Sequence, residues 1–159
     1  VLLMNNFLKI GKQKEKEFAQ ILIDNFGGTI TYPSKKVDMF DHIDLYWNNI
    51  GFDVKGVKGE TRSGPLNDRF HWIEYQNRNG EKGWLNGKAK YFAFETFNSW
   101  IIVSKNRIKF LLYDKVDYSK IVRFNPKVYQ VYMRPTAKDL IIKVPTSDLM
   151  LFATKIISK

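Results

Sequence analysis

Asp44, Asp53 and Lys55 are the residues whose types and spacing could perform chemistry together. They lie in two short segments of alternating apolar and polar residues, which Asn48 and Asn49 connect. Asparagine tolerates the positive φ of a tight turn, so the pattern predicts a β-hairpin. Because side chains alternate along a strand, Asp53 and Lys55 share one face. A two-residue turn then places Asp44 directly opposite Asp53.

The register of this hairpin determines which side chains face each other. With Asn48 and Asn49 as the turn, the apolar residues pair on the other face: Trp47 with Ile50, Leu45 with Phe52 and Ile43 with Val54. A turn shifted by one residue places Asp44 opposite Lys55 and diagonal to Asp53. Both registers keep the three polar side chains on one face.

Two carboxylates in this position need a positive partner. Residues directly opposite each other have Cβ atoms about 5 Å apart, where like charges are destabilising. Mg²⁺, or Mn²⁺ in its place, binds carboxylate oxygens and polarises phosphates, and Lys55 could stabilise charge on phosphoryl oxygens. The same residues also fit an ordinary half-exposed hairpin, in which Asp44 pairs with Lys55 and Asp53 faces water.

The order of these residues resembles the PD-(D/E)XK nuclease superfamily, which includes restriction endonucleases, Holliday junction resolvases and recombination exonucleases. Its Asp-x-Lys tripeptide corresponds to residues 53–55, and its separate upstream aspartate corresponds to Asp44. Ile43 stands where the superfamily motif has proline. Residues 70–95 also resemble a segment of small phage-type nucleases of this superfamily.

The first helix extends the resemblance. Residues 11–18 (GKQKEKEF) are similar to the Gly-x-x-x-Glu-Arg-Glu-Leu opening of archaeal-type resolvases. The functional glutamate of that pattern corresponds to Glu15, with Glu17 as the alternative. In a helix Glu15 flanks the buried face, although a solvated charge fits the same Lys/Glu-rich turn. The resemblance therefore implies Asp44, Asp53 and Glu15 as metal ligands and Lys55 as a catalytic residue.

The resemblance implies a restriction-endonuclease-like α/β domain over residues 1–159, with a central mixed β-sheet flanked by helices. It implies a Mg²⁺-dependent endodeoxyribonuclease, by preference one that cuts branched DNA as Holliday junction resolvases do. Cutting both strands requires paired sites, which implies a homodimer. The alternatives are a restriction-type or nonspecific nuclease, and a catalytically silent nucleic-acid-binding module of the same fold.

Several other polar residues are secondary candidates for this site. Asp38 is a rival for the upstream aspartate but lies outside the hairpin, and His42 could touch a phosphate. Glu74 and Gln76 share one face of a predicted strand, where they could assist the metal or simply face water.

The charge balance favours a polyanionic partner. The chain has 26 lysines and arginines against 16 aspartates and glutamates, a formal net charge of +10. The basic residues that follow the hairpin are the candidates for phosphate contacts: Lys58, Arg62, Arg69, Arg78, Lys82 and Lys88. The aromatic residues among them, such as Trp72 and Trp84, could stack on unpaired bases or pack in the core.

The rest of the pattern predicts a mixture of helices and strands. Helices are predicted over 11–26, over 106–116 and from Thr146 or Ser147 through Ile157, and strands over 29–32, 70–76, 91–97, 100–103, 128–133 and 140–144. Residues 59–69 are predicted to form a polar loop. The chain contains no cysteine, no long apolar run and no recognisable signal peptide, so we expect a cytoplasmic protein, in the host cytoplasm if phage-encoded.

Overall fold

A six-stranded mixed sheet forms the centre of the computed structural model, which describes residues 2–61 and 63–159. The helices are α1 (Leu2–Phe26), α2 (Lys35–Asp41), α3 (Lys105–Tyr113) and α4 (Thr146–Leu151), with a 3₁₀ turn at Trp84–Asn86. The strands are β1 (Ile30–Thr31), β2 (Leu45–Trp47), β3 (Ile50–Lys55), β4 (Lys58–Gly59), β5 (Leu66–Asn67), β6 (Phe70–Gln76), β7 (Tyr91–Glu95), β8 (Ser99–Ser104), β9 (Ile121–Val122), β10 (Val131–Met133), β11 (Leu140–Pro145) and β12 (Lys155–Ser158). The central sheet has the order β1-β2-β3-β7-β8-β12, with β3 parallel to β7 and the other pairs antiparallel. The expected α/β class with a mixed central sheet is confirmed.

Helix α1 covers one face of this sheet. Phe18 and Leu22 recur at helical spacing and are almost fully buried. The Phe18 ring lies 5.5 Å from that of Phe52 and 5.1 Å from that of Trp100. The helix begins nine residues earlier than predicted and ends where Gly27 takes a φ of +65°. Although α1 has 25 residues, no helix in the described part of the chain is long and apolar enough to cross a membrane.

A second sheet and helix α3 cover the opposite face. The second sheet has the order β6-β11-β10-β9, and its inner residues Ile73, Ile142 and Val144 are fully buried. They pack with Phe92 and Phe94 of β7 in one core cluster. The sequence pattern predicted most of these strands but not their separation into a second sheet, because strand partners are chosen by tertiary packing.

The structure corrects two of the predicted elements and adds one helix. The predicted closing helix stops at Leu151, and residues 155–158 form strand β12 on the edge of β8, where Ile157 is buried. The predicted loop over 59–69 includes the short hairpin β4–β5. Residues 35–41 form α2, a helix that the pattern did not indicate, and the Ser34 hydroxyl accepts a hydrogen bond from Val37 N–H at its start.

Candidate active site

The β2–β3 hairpin carries three of the candidate residues, and its turn is the one predicted. Asn48 and Asn49 take φ values of 47° and 66°, the left-handed conformation that asparagine tolerates. Leu45 pairs with Phe52 and Trp47 with Ile50, as expected for a two-residue turn.

The ladder departs from the predicted register at Asp44. Its backbone N–H donates to Phe52 O at 2.8 Å, the carbonyl of the residue that pairs with Leu45. Asp44 and Leu45 therefore both lie opposite Phe52 of β3, which is the arrangement of a β-bulge. The predicted pairing of Ile43 with Val54 is wrong, because the extra residue turns Ile43 to the opposite core.

At this bulge the Asp44 side chain accepts a hydrogen bond from the backbone of β3, in place of a backbone carbonyl. Its Oδ2 accepts a hydrogen bond of 2.6 Å from Val54 N–H. Val54 lies between Asp53 and Lys55, so the upstream carboxylate is fixed to the Asp-x-Lys strand itself. A side-chain acceptor competes here with the regular strand ladder.

Asp53 is the most buried of these carboxylates, with 1% of the residue exposed. Its Oδ1 lies 2.6 Å from Lys55 Nζ, and its buried Oδ2 has no hydrogen-bond partner among the described residues. Desolvation raises the pKa of Asp53 well above its usual range, and the charge of Asp44 raises it further, against the opposing effect of Lys55. A buried oxygen without a partner is costly unless something binds it.

Glu15 of α1 completes the carboxylate group. It is 8% exposed, and Lys12 donates to its Oε2 at 3.0 Å. Burial raises the pKa of Glu15 to about 6, and the charge of Asp44 adds to the shift. Glu17 instead pairs with Lys14 at 3.2 Å on the more exposed side of the helix. The helix therefore directs Glu15, rather than Glu17, towards Asp44.

Lys55 is held by an aromatic ring as well as by Asp53. Its Nζ lies 4.5 Å from the centroid of the Trp84 ring, a cation–π contact. Trp84 is 8% exposed and belongs to the core, and its backbone N–H donates to Glu74 Oε1 at 3.3 Å. Glu74 therefore holds the backbone that carries the ring under Lys55, a position that its strand pattern alone did not reveal.

The three carboxylates Asp44, Asp53 and Glu15 meet some of the requirements of a site for a hard cation. Among residues 2–61 and 63–159, no three side chains of the metal-binding types are close enough together to hold a metal ion. The buried Oδ2 of Asp53 nevertheless lacks a partner, and desolvation, with the charge of Asp44 as a smaller cause, raises the pKa values of Asp53 and Glu15. Oxygen donors of this kind are those that Mg²⁺ prefers, so Asp44 and Asp53 could bind it, but in the described part of the chain the three predicted ligands Asp44, Asp53 and Glu15 do not form a closed ligand set.

The rival acidic residues have other partners. Asp38 on α2 pairs with Lys12 at 2.9 Å, and Asp41 pairs with Lys88 at 3.2 Å. Gln76 donates to Lys138 O at 2.6 Å, in the β10–β11 turn rather than at Asp53.

His42 does lie near the site. It follows α2 with a φ of 55°. Desolvation lowers its pKa, and the nearby charge of Lys55 lowers it further. A neutral imidazole beside the carboxylates is therefore favoured.

The predicted basic residues are not gathered at one place. Lys58 follows β3 closely and is exposed at the start of β4. Lys88 is paired with Asp41, and Arg69, Arg78 and Lys82 are exposed on loops and turns. Arg62 lies outside the described residues.

Two charged residues near the site escaped the sequence analysis. Glu95, at the end of β7, is 3% exposed and accepts hydrogen bonds from Lys14, Lys159 and Val57 N–H at 2.8, 2.6 and 2.9 Å. It therefore joins α1, the end of β3 and β12. Its one sequence signal is a charge at the end of an apolar run. Lys105, the first residue of α3, donates to Gly87 O; desolvation and the charge of Lys109 lower its pKa, and the nearby charge of Asp53 opposes that shift.

Comparison of the chain with family models, with curated proteins and with solved structures found no match.

Proposed function

We propose that this protein is a Mg²⁺-dependent nuclease of the PD-(D/E)XK type that hydrolyses phosphodiester bonds in DNA. One observation carries the proposal: Asp53 is buried with an unpartnered oxygen, beside Asp44 and a lysine on the same strand. An ordinary half-exposed hairpin would leave Asp53 in water instead, and its 1% exposure argues against that alternative.

The chain's own residues would divide the work as follows. Asp44 and Asp53 would be the main ligands of Mg²⁺ or Mn²⁺ through their carboxylate oxygens, with Glu15 as an auxiliary ligand. When bound, such a cation supplies polarisation of a phosphate oxygen and lowers the pKa of an attacking water. Lys55 stabilises the charge that develops on the phosphoryl oxygens. Trp84 and Asp53 hold the Lys55 ammonium in place for this role.

Branched DNA is the substrate we propose within this class, together with action as a homodimer in the cytoplasm. The support is the net charge of +10 and the similarity of the first helix to resolvases. Two symmetric sites would be needed to cut both strands of a junction.

A second candidate is a catalytically silent nucleic-acid-binding module. The tight ion pair between Lys55 and Asp53, at 2.6 Å, favours it, because the lysine neutralises the carboxylate without a metal. This module would bind nucleic acid through its exposed lysines and arginines and cut nothing.

Cleavage assays separate these functions. Purified protein is incubated with four-way-junction, flapped and linear duplex DNA, each with Mg²⁺, Mn²⁺ or EDTA. We expect metal-dependent cutting that Asp53→Asn and Lys55→Ala abolish and that Asp117→Asn, a change at an exposed aspartate, leaves intact. Equal cutting of all substrates supports a nonspecific enzyme, binding without cutting supports the silent module, and neither binding nor cutting contradicts both.

A further inference from the structure

The outer face of the second sheet, which points away from the core, carries three aromatic side chains and a lysine. Along β6, His71 and Ile73 are buried towards the core, whereas Phe70, Trp72 and Glu74 alternate with them on the outer side and are half-buried. On the neighbouring strand Lys143 pairs with Trp72, so both side chains share the outer face.

The rings on this face are set close to one another and to an ammonium group. The Trp72 and Tyr132 ring centroids lie 6.2 Å apart. Lys143 Nζ lies 4.2 Å from the Phe70 centroid and 6.0 Å from that of Trp72. We name these four residues, Phe70, Trp72, Tyr132 and Lys143, the aromatic platform.

The platform continues towards the candidate active site. A shallow cleft between it and the β4–β5 hairpin is lined by Lys58, Phe70, Trp72 and Lys143, together with Gly59, Glu60 and Asn67. Lys58 follows Lys55 by three residues, a reach of about 11 Å at most. Within the described residues no carboxylate forms an ion pair with Lys58, whereas Lys143 pairs with Glu60 at 2.9 Å.

We propose that the aromatic platform binds an unpaired nucleic-acid strand and leads it past Lys58 to Lys55 and Asp53. Partly exposed rings offer π faces on which successive bases stack, and neighbouring ammonium groups attract the phosphates between them. Bases in a duplex are already stacked on each other and cannot use such a surface. The inference rests on the proposed function for its direction, and it narrows the substrate to DNA with a single-stranded part, such as a flap or an open junction.

The test measures binding without cleavage. Fluorescence anisotropy in EDTA compares a labelled oligothymidylate of about 20 nucleotides with a blunt duplex of equal length. Trp72→Leu keeps an apolar side chain but removes the stacking surface, and we expect roughly tenfold weaker binding of the single strand. Binding of the duplex should change less than about twofold. Lys143→Gln should also weaken single-strand binding and lower its salt dependence.

Matched controls come from similar contacts elsewhere. Tyr75 packs against Tyr118 in a tilted arrangement with ring centroids 4.6 Å apart, and Lys155 Nζ lies 5.8 Å from the centroid of the Phe26 ring. Tyr75→Leu and Lys155→Gln should leave single-strand affinity unchanged. Unchanged affinity in folded Trp72→Leu, or an equal loss in Tyr75→Leu, would overturn the proposal, as would an equal loss of duplex binding.

A second measurement on the wild-type chain covers the case in which Trp72→Leu does not fold. Photo-crosslinking in EDTA to a strand containing 5-iodouracil should label peptides of β6 or β10. Labelling confined to other segments would contradict the platform. Because both experiments exclude metal, their outcome is independent of cleavage. If the protein cuts DNA but fails both tests, the proposed nuclease function stands and the aromatic platform is contradicted. If it passes both tests but never cuts DNA, the platform stands and the nuclease function is contradicted.

Discussion

The carboxylate of Asp44 accepts a hydrogen bond of 2.6 Å from the backbone N–H of Val54. The bond ties the first acidic residue to the strand that carries Asp53 and Lys55. The distance between the candidate metal ligands is therefore set by a side chain–backbone bond at a β-bulge, and not by cross-strand pairing alone.

Replacing Asp44 separates its structural role from its chemical role. Asn in its place keeps an oxygen acceptor for Val54 N–H, whereas Ala leaves that N–H without its bond. We expect Asp44→Ala to lower the free energy of unfolding by about 2 kcal/mol and Asp44→Asn by clearly less, while both lose metal-dependent cleavage. Urea unfolding measures the difference, and equal destabilisation by the two variants would refute the bond's role.

Divalent cations should stabilise the folded chain through the carboxylate group. A ligand that binds only the folded state at about 100 times its Kd adds roughly 2.7 kcal/mol. We expect Mg²⁺ or Mn²⁺ to raise the Tm of the wild type but not of Asp53→Asn, and Asp117→Asn should respond as the wild type does. A thermal shift in Mg²⁺ titrations measures this effect, and an equal rise in Asp53→Asn would rule out Asp53 as a ligand.

The raised pKa of Glu15 predicts a pH-dependent stability. The pKa of this carboxyl is about 6 in the folded chain against 4.5 for the free group. Its protonated form is therefore favoured by folding, so its contribution is fully present below pH 4.5 and is lost as the pH rises through 6. After solvent screening we expect Glu15→Gln to be more stable than the wild type by about 1 kcal/mol at neutral to alkaline pH.

The same variant should gain nothing at pH 4, where both states of the wild type carry the proton. Glu17→Gln is the control, because its carboxylate is 39% exposed and paired with Lys14. Chemical unfolding across this pH range supplies the comparison. A gain in Glu15→Gln that does not depend on pH would show that its burial is not the cause.

Glu95 should contribute strongly to stability. Hydrogen bonds from Lys14 and Lys159 outweigh desolvation and lower its pKa. In Glu95→Gln the ammonium group of Lys159 loses its anion and that of Lys14 keeps its pair with Glu17, and we expect a loss of about 2–3 kcal/mol. Glu60→Gln breaks a more exposed pair with Lys143 and should change stability by less than about 1 kcal/mol. Similar losses in both variants would mean that burial does not strengthen the Glu95 cluster.

Local patterns were enough to predict the elements nearest the site. Alternating residues on either side of Asn48 and Asn49 indicated the hairpin, because turn chemistry and side-chain alternation act over a few residues. Helical spacing from Phe18 to Leu22 indicated the buried face of α1. The predictions failed where contacts between distant segments determine the secondary structure. Residues 155–158 are a strand because the edge of β8 is available to pair with them.

The sequence by itself determined the residue types at the candidate site, their order along the chain and the hairpin that carries them, since these depend on neighbouring residues. Only the tertiary structure decided that Asp44 sits at a bulge, that α1 directs Glu15 towards it and that Trp84 lies under Lys55. It also decided the position of Glu95, which three segments far apart in sequence surround. Burial and electrostatic contact join residues across the fold, and no local pattern records them.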